Sequence, residues 1–145
     1  MKTAFVAALT AIASLSISSN AIASCTQNIS YGDIPFAINS SYFASEHTKQ
    51  LQEVINTTQS NKGYLLLEFA IDNTLTDKKL REYDFWLANR RIERVKDYLS
   101  KADYQQPIVT RILTASRSDS RALRVHWCQQ VAAVADANPV QTSLR

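Results

Sequence analysis

Residues 79–102 have the sequence KLREYDFWLANRRIERVKDYLSKA and carry the longest periodic pattern in the chain. Apolar side chains recur there at steps of three and four residues, which is the spacing of one face of an α-helix. The pattern therefore predicts a helix over 79–102. The positions expected to face the core are Leu80, Tyr83, Leu87, Ala88, Ile92, Val95, Tyr98 and Leu99.

The segment before this helix, residues 64–71, is YLLLEFAI, a nearly continuous apolar run of strand length. Such a run predicts an interior strand that is buried on both faces. Earlier still, the apolar positions of residues 43–58 fit one side of another helix, with Ser41 or Ser45 as the expected cap. A turn at 61–63 separates that helix from the strand.

Three further segments complete the domain. Residues 34–38 form a short apolar run with Pro35 near its start, which predicts an edge strand or its entrance. Residues 107–114 and 121–127 have strand-like composition, and residues 116–120 between them have hairpin or short-loop chemistry. The order β-α-β-α-β-β predicts an α/β two-layer sandwich, a mixed sheet with its helices on one face.

The N-terminal residues have the form of a cleaved secretory signal. Lys2 is followed by an apolar stretch over 4–17 and then by Ala21-Ile22-Ala23, a small-x-small cleavage site. No later segment approaches the roughly 20 apolar residues of a membrane-spanning helix. We therefore expect an exported, periplasmic protein with no transmembrane segment in the mature chain, and association with the outer membrane as a further expectation.

The chain divides into four parts on this basis. They are a signal peptide at 1–23, an N-terminal segment at 24–33, a domain at 34–128 and a C-terminal tail at 129–145. From Asp136 onward polar residues and proline dominate the tail, and there we expect disorder or weak helix.

The two cysteines, Cys25 and Cys128, leave two alternatives. A disulfide between them suits an oxidising compartment and would tie the first ordered segment to the last strand. Alternatively, Ile22-Ala23-Ser24-Cys25 resembles a lipobox, in which Cys25 would be acylated and would anchor the chain to a membrane. We favour the disulfide because acylation would leave Cys128 as an odd thiol.

Composition argues against several classes of function. The chain has only two glycines, too few for a phosphate-binding glycine-rich loop, and its cysteine spacing matches no zinc or CxxC redox motif. The 16 basic and 13 acidic residues give a net charge of +3, which falls to +2 once the signal and Lys2 are removed. We therefore expect no cofactor, no metal and no nucleic acid as a partner.

Two charged residues of the long helix fall on its buried side. At about 100° per residue, Asp84 and Arg91 lie close to the centre of the apolar face. Burying a charge without a partner is costly, so Arg91 requires a carboxylate, a ring of carbonyls or a ligand, and Asp84 requires donors. Asp72, which ends the interior strand, lies at the edge of the sheet where open α/β sheets bind ligands.

An alternative interpretation is structural: Asp72, Asp84 and Arg91 neutralise each other and hold the helix against the sheet. A hydrolytic function with Asp72 and Asp84 as a carboxylate pair is a further, weaker alternative. His47 and His126 are each isolated in the sequence, and Trp86 and Trp127 are candidate sugar-stacking platforms. Trp86 points away from the centre of the apolar face, which is compatible with exposure, but we favour a structural role for it at the edge of the core.

Residues 83–99, YDFWLANRRIERVKDYL, closely resemble the helix of the OmpA-like peptidoglycan-binding domain family. The resemblance spans about residues 34–127 and includes the interior strand ending at Asp72 and the Arg124-Val125 pair of the last strand. It implies that Asp72 binds the ammonium group of diaminopimelate in a peptidoglycan stem peptide and that Arg91 binds its carboxylate. Of the family's Gly-His-Thr-Asp signature, only the acid is present here.

The resemblance implies a binding module that breaks no bond. Asp72 and Arg91 would hold the stem peptide, Asp84 and Asn73 would support them, and peptidoglycan would be the partner. The alternative is a degenerate OmpA-like domain that has lost its ligand and acts as a protein-interaction or assembly subunit of an envelope complex, through Trp86 or the tail.

Overall fold

The computed structural model describes residue 25, residues 27–116 and residues 121–130. The predicted signal peptide and residues 131–145 of the predicted tail lie outside the described residues. The elements in chain order are β1 (Gln27–Pro35), α1 (His47–Thr58), β2 (Gly63–Asp72), α2 (Lys78–Lys101), β3 (Ile108–Ser116) and β4 (Ala122–Gln129). This order confirms the β-α-β-α-β-β prediction and the α/β two-layer sandwich.

The four strands form one mixed sheet in the order β1-β4-β2-β3. β2 pairs with β3 in parallel, and β4 runs antiparallel to both β1 and β2. The interior position predicted for residues 64–71 is confirmed, because β2 lies between β4 and β3. The hairpin alternative for residues 116–120 is wrong, because β3 and β4 lie on opposite sides of β2 and do not pair with each other. Residues 117–120 themselves lie outside the described residues.

The first strand begins earlier than the sequence predicts. β1 covers Gln27–Pro35, where the apolar run had indicated 34–38, and most of it lies in the segment set apart as 24–33. Pro35 ends the strand, which is at the edge of the sheet as expected for a proline-containing strand. Phe36 follows and forms an isolated antiparallel bridge with Phe43.

That bridge explains why α1 is shorter than predicted. The helix begins at His47 instead of residue 43, because Phe43 is held in extended pairing with Phe36. Neither Ser41 nor Ser45 caps it: the N-cap residue is Glu46, which makes no side-chain capping bond. α2 is capped by Asp77, whose side chain accepts hydrogen bonds from the backbone N–H groups of Lys79 and Leu80.

The core lies between the sheet and the two helices. Alternate side chains of β2 and β4 enter it, which places both helices on one face of the sheet. These side chains are Leu65, Leu67, Phe69, Leu123, Val125 and Trp127. Trp127 is 1% exposed, so it is a core residue and not a sugar-stacking platform.

Cys25 and Cys128 are joined in a disulfide that spans 103 residues of sequence. This is the pairing favoured by the sequence, and it links the start of the described chain to β4. Within the described residues, no helix is both long enough and apolar enough to cross a bilayer.

Candidate functional site

The candidate site lies where the C-terminal ends of β1, β2 and β3 meet the start of β4. We call this end of the strands the carboxyl edge of the sheet. Asp72 is the last residue of β2 at this edge. Its Oδ1 accepts a hydrogen bond from the backbone N–H of Thr74 at 2.8 Å. That bond, followed by a side-chain bond from Thr74, lowers the pKa of Asp72 below its ordinary value. The carboxylate is therefore ionised at neutral pH.

Arg91 approaches the same edge from the middle of α2 and is 3% exposed. Its Nε donates to the carbonyl oxygen of Ser40 at 2.8 Å, and its Nη2 donates to that of Ala37 at 3.0 Å. The guanidinium carbon also lies 5.2 Å and 5.3 Å from the ring centroids of Phe36 and Phe69. The sequence left three kinds of partner open for a buried Arg91: a carboxylate, a ring of carbonyls or a ligand. Its hydrogen-bond partners in the structure are backbone carbonyl oxygens.

A cavity of about 250 Å³ opens between these elements. It brings together Asp72, Asp84 and Arg91, three of the four predicted site residues. Its lining also includes Arg121, which no sequence pattern indicated. The remaining lining residues are Ile38, Asn39, Phe69, Ala70, Ile71, Leu75 and Leu87.

The four charged residues of the cavity do not pair with one another. Among the described residues, no ion pair within 4.0 Å joins Asp72 or Asp84 to Arg91 or Arg121. The direct ion pairs that the structural alternative needs are thus missing. Arg91 does connect α2 to the loop after β1, but it does so through hydrogen bonds to the backbone carbonyl oxygens of Ala37 and Ser40.

Asn73, the fourth predicted residue, does not line this cavity. It lines a neighbouring cleft of about 480 Å³, which shares Asp72 and Asp84 with the cavity and adds Lys78 and Arg81. The two spaces therefore adjoin at the two carboxylates.

Burial and charge act together on the pKa of Arg91. Desolvation lowers it most, and the positive charge of Arg121 lowers it further, while Asp84 opposes both. The guanidinium remains protonated at any physiological pH. An anion entering the cavity would relieve the repulsion between the two arginines.

Arg121 could not have been found from local sequence. It directly precedes β4, and only the position of β4 between β1 and β2 brings it to the ends of the other strands. Its backbone carbonyl oxygen accepts a 2.8 Å hydrogen bond from the N–H of Phe36.

An aromatic patch lies beside the cavity on the first turns of α2. The rings of Tyr83 and Trp86 stack with centroids 5.7 Å apart, and the side chains are 39% and 54% exposed. The hydroxyl of Tyr83 is 3.5 Å from Oδ1 of Asn39, which lines the cavity. Trp86 is therefore exposed, and the structural role at the edge of the core that the sequence favoured for it is not observed.

Neither histidine reaches the cavity. His47 Nδ1 is 3.1 Å from the Gln50 side-chain oxygen on α1. His126 Nε2 is 3.9 Å from Glu68, which also pairs with Arg111 at 3.0 Å. Among the described residues, no group of three or more His, Cys, Asp or Glu side chains is arranged to hold a metal ion.

No protein-family model and no curated protein sequence matches the chain. Solved structures are similar to it, among them the following two. An outer membrane protein from Borrelia burgdorferi B31 is 18% identical with a TM-score of 0.50, over 71% of this chain and 88% of that chain. The cell wall anchor of the T6SS from Pseudomonas aeruginosa is 19% identical with a TM-score of 0.46, over 66% of this chain and 76% of that one. The first likeness shows a shared fold.

Proposed function

We propose that this domain is a non-catalytic binding module that holds a zwitterionic amino-acid group in the cavity between β2 and α2. The observation that carries the proposal is the set of two carboxylates and two guanidiniums that line one cavity without pairing to one another. Unpaired charges of both signs match a ligand that carries both signs.

The carboxylates of Asp72 and Asp84 would receive an ammonium group. Asp72 suits this role because the Thr74 N–H occupies one of its oxygens and keeps it ionised, while an acceptor oxygen remains available. Asn73, in the adjoining cleft, would contact the ligand where it leaves the cavity.

Arg91 would receive a carboxylate. Its hydrogen bonds to described residues use two of its five N–H groups, and the bonds to Ala37 and Ser40 hold the guanidinium in place before a ligand arrives. Binding would then cost little side-chain entropy.

We infer that the ligand is the diaminopimelate residue of a peptidoglycan stem peptide. The support is the resemblance of residues 83–99 to the helix of the OmpA-like family, together with the placement of Asp72 and Arg91 on one cavity. The free end of that residue carries one ammonium and one carboxylate, the pair of charges that the cavity lining complements. The fold shared with an outer membrane protein and the signal-like residues 1–23 support a location in the periplasm, near the outer membrane.

Co-sedimentation of the purified mature chain with diaminopimelate-containing sacculi tests this function. The wild-type protein is expected to pellet, and Asp72→Asn is expected to remain in the supernatant. Asp97→Asn makes the same chemical change on an exposed residue of α2 outside the cavity, and it should pellet like the wild type. Failure of the wild type to pellet, or equal pelleting of all three proteins, would refute the proposal.

One observation favours the second candidate, a protein-interaction subunit. Leu80 is 53% exposed and lies on the same helix as the exposed Tyr83 and Trp86, so α2 presents apolar surface near its N-terminal end. If this candidate is correct, Trp86→Ala would abolish recovery of a specific envelope protein by crosslinking in cells, whereas Asp72→Asn would leave that recovery unchanged.

A further inference from the structure

Arg121 is held at the cavity by its backbone and not by its side chain. Its carbonyl oxygen accepts the Phe36 N–H at 2.8 Å, which fixes the residue beside the end of β1. The side chain is exposed, lines the cavity and makes no ion pair or hydrogen bond with another described residue.

Arg91 also lines the cavity, but it differs from Arg121 in its burial and in its side-chain hydrogen bonds. Arg91 is buried, lies near two phenylalanine rings and donates to two backbone carbonyls. It can therefore turn little toward a ligand, whereas the side chain of Arg121 can close onto one.

We propose that Arg121 is a second carboxylate-binding residue of the cavity and that it makes the site selective for a ligand whose carboxylate is free and not amidated. This inference rests on the proposed function and adds to it a residue and a ligand selectivity. The two guanidiniums come from different elements, Arg91 from the middle of α2 and Arg121 from the start of β4. A carboxylate between them would be bound from two sides.

Electrostatics support this arrangement. The charge of Arg121 disfavours the charged form of Arg91, so the two cations repel each other. A carboxylate removes that repulsion and gains charge-assisted hydrogen bonds from both residues. A carboxamide has no charge and presents two N–H donors toward groups that are themselves donors, so it gains neither effect.

The test uses two soluble probes and three forms of the mature protein. The probes are a stem tetrapeptide with a free diaminopimelate side-chain carboxylate and the same peptide with that group amidated. The proteins are the wild type, Arg121→Ala and Arg90→Ala, and affinities are measured by isothermal titration calorimetry after circular dichroism has confirmed the fold. Arg90 is the matched control, an exposed arginine of α2 that does not line the cavity.

The wild type is expected to bind the free acid at least about tenfold more tightly than the amide, as loss of a charge-assisted hydrogen bond predicts. Arg121→Ala should reduce affinity for the free acid by about tenfold or more and leave affinity for the amide nearly unchanged. Arg90→Ala should retain both wild-type affinities.

Two results would overturn the inference while leaving the proposed function intact: no change in Arg121→Ala, or an equal loss for both peptides. If the wild type bound neither peptide, the proposed function itself would fail, and the selectivity assigned to Arg121 would fail with it.

Discussion

The Nε of Arg91 lies 2.8 Å from the backbone carbonyl oxygen of Ser40 and donates a hydrogen bond to it. This bond joins the middle of α2 to the loop that follows β1, two parts of the domain 51 residues apart in sequence. Arg91 therefore acts in two ways, because the contact that shapes the cavity also stabilises the fold.

Replacement of Arg91 should destabilise the protein even without a ligand. Arg91→Ala removes two charge-assisted hydrogen bonds and the contacts with Phe36 and Phe69, and it leaves two carbonyl oxygens without their donor. We expect a loss of about 2–4 kcal/mol in the free energy of unfolding, measured with urea. The exposed neighbour Arg90 serves as the control, since Arg90→Ala should change that free energy by less than about 0.5 kcal/mol. Equal stability of the two variants would show that the Arg91 contacts contribute nothing to the fold.

Gly63 is expected to tolerate no side chain. A Cβ at this position would collide with the carbonyl oxygen of Cys128 and would lie 2.6 Å from the Cζ2 atom of the buried Trp127 ring. Gly63→Ala should therefore cost at least about 2 kcal/mol of unfolding free energy, because backbone and a core ring would have to move.

Gly32 provides the comparison. Its φ of +86° is in the left-handed region, but an added Cβ would meet only the flexible Gln50 side chain at 3.4 Å. Gly32→Ala should cost about 1 kcal/mol, from backbone strain alone. Urea unfolding of both variants would contradict this account if Gly63→Ala were the more stable of the two.

The disulfide is expected to contribute strongly to stability. It closes a loop of 103 residues, for which the chain-entropy model gives up to about 4–5 kcal/mol. The double variant Cys25→Ser, Cys128→Ser should lose much of this free energy in urea unfolding.

The state of the cysteines can be measured directly in the protein isolated from its native envelope. Intact mass analysis of the mature protein should show two oxidised cysteines and no lipid. An acyl group on Cys25, or two thiols that label without reductant in the unfolded protein, would contradict the disulfide.

The carboxyl group of Asp72 should titrate at lower pH than an ordinary aspartate. The Thr74 backbone N–H stabilises the ionised form and lowers the pKa of Asp72 below 3.8. A lowered pKa in the folded state stabilises the protein above the unfolded pKa, and this contribution is lost as the pH falls through the folded value. The stabilising contribution of Asp72 should therefore be complete above about pH 4 and should decline only as the pH falls below that value.

Carbon-13 NMR of the side-chain carboxyl measures this pKa. Thr74→Ala, which keeps the backbone donor, should raise the pKa of Asp72 only slightly. Thr74→Pro, which removes the N–H as well as the hydroxyl, should raise it further. An unperturbed pKa in the wild type would contradict the Asp72 to Thr74 bond.

The two strongest periodic patterns located their elements closely. The predicted helix 79–102 is observed as Lys78–Lys101, and the predicted strand 64–71 as Gly63–Asp72. Both are long segments that pack against the core, so the spacing of their apolar residues records much of their burial. Leu80 and Tyr83 are exceptions: they were expected to face the core, but they are 53% and 39% exposed, because the buried part of α2 begins only at Leu87.

The errors arose where contacts distant in sequence decide the structure. The turn-like composition of residues 116–120 suggested a hairpin. Strand pairing, however, depends on contacts among all four strands, and β2 lies between β3 and β4. The start of α1 was misplaced because Phe43 pairs with Phe36, a preference that no local pattern records.

At the candidate site too, local sequence patterns identified some residues, while contacts distant in sequence determined the position of others. Asp84 and Arg91 were found from their angles on one helix, and Asp72 from its place at the end of a strand. Arg121 reaches the cavity only through the strand order, and Asn73 turns to the adjoining cleft although it is next to Asp72 in sequence.

The central claim is that the cavity lined by Asp72, Asp84 and Arg91 holds the diaminopimelate group. The most direct test is a nitrogen-15 NMR titration of the mature chain with the soluble stem tetrapeptide that carries a free diaminopimelate carboxylate. Saturable shifts are expected at the cavity residues, including the Arg91 Nε–H, and they should be lost in Asp72→Asn. Shifts confined to the Tyr83 and Trp86 patch, or an unchanged spectrum at saturating peptide, would contradict it.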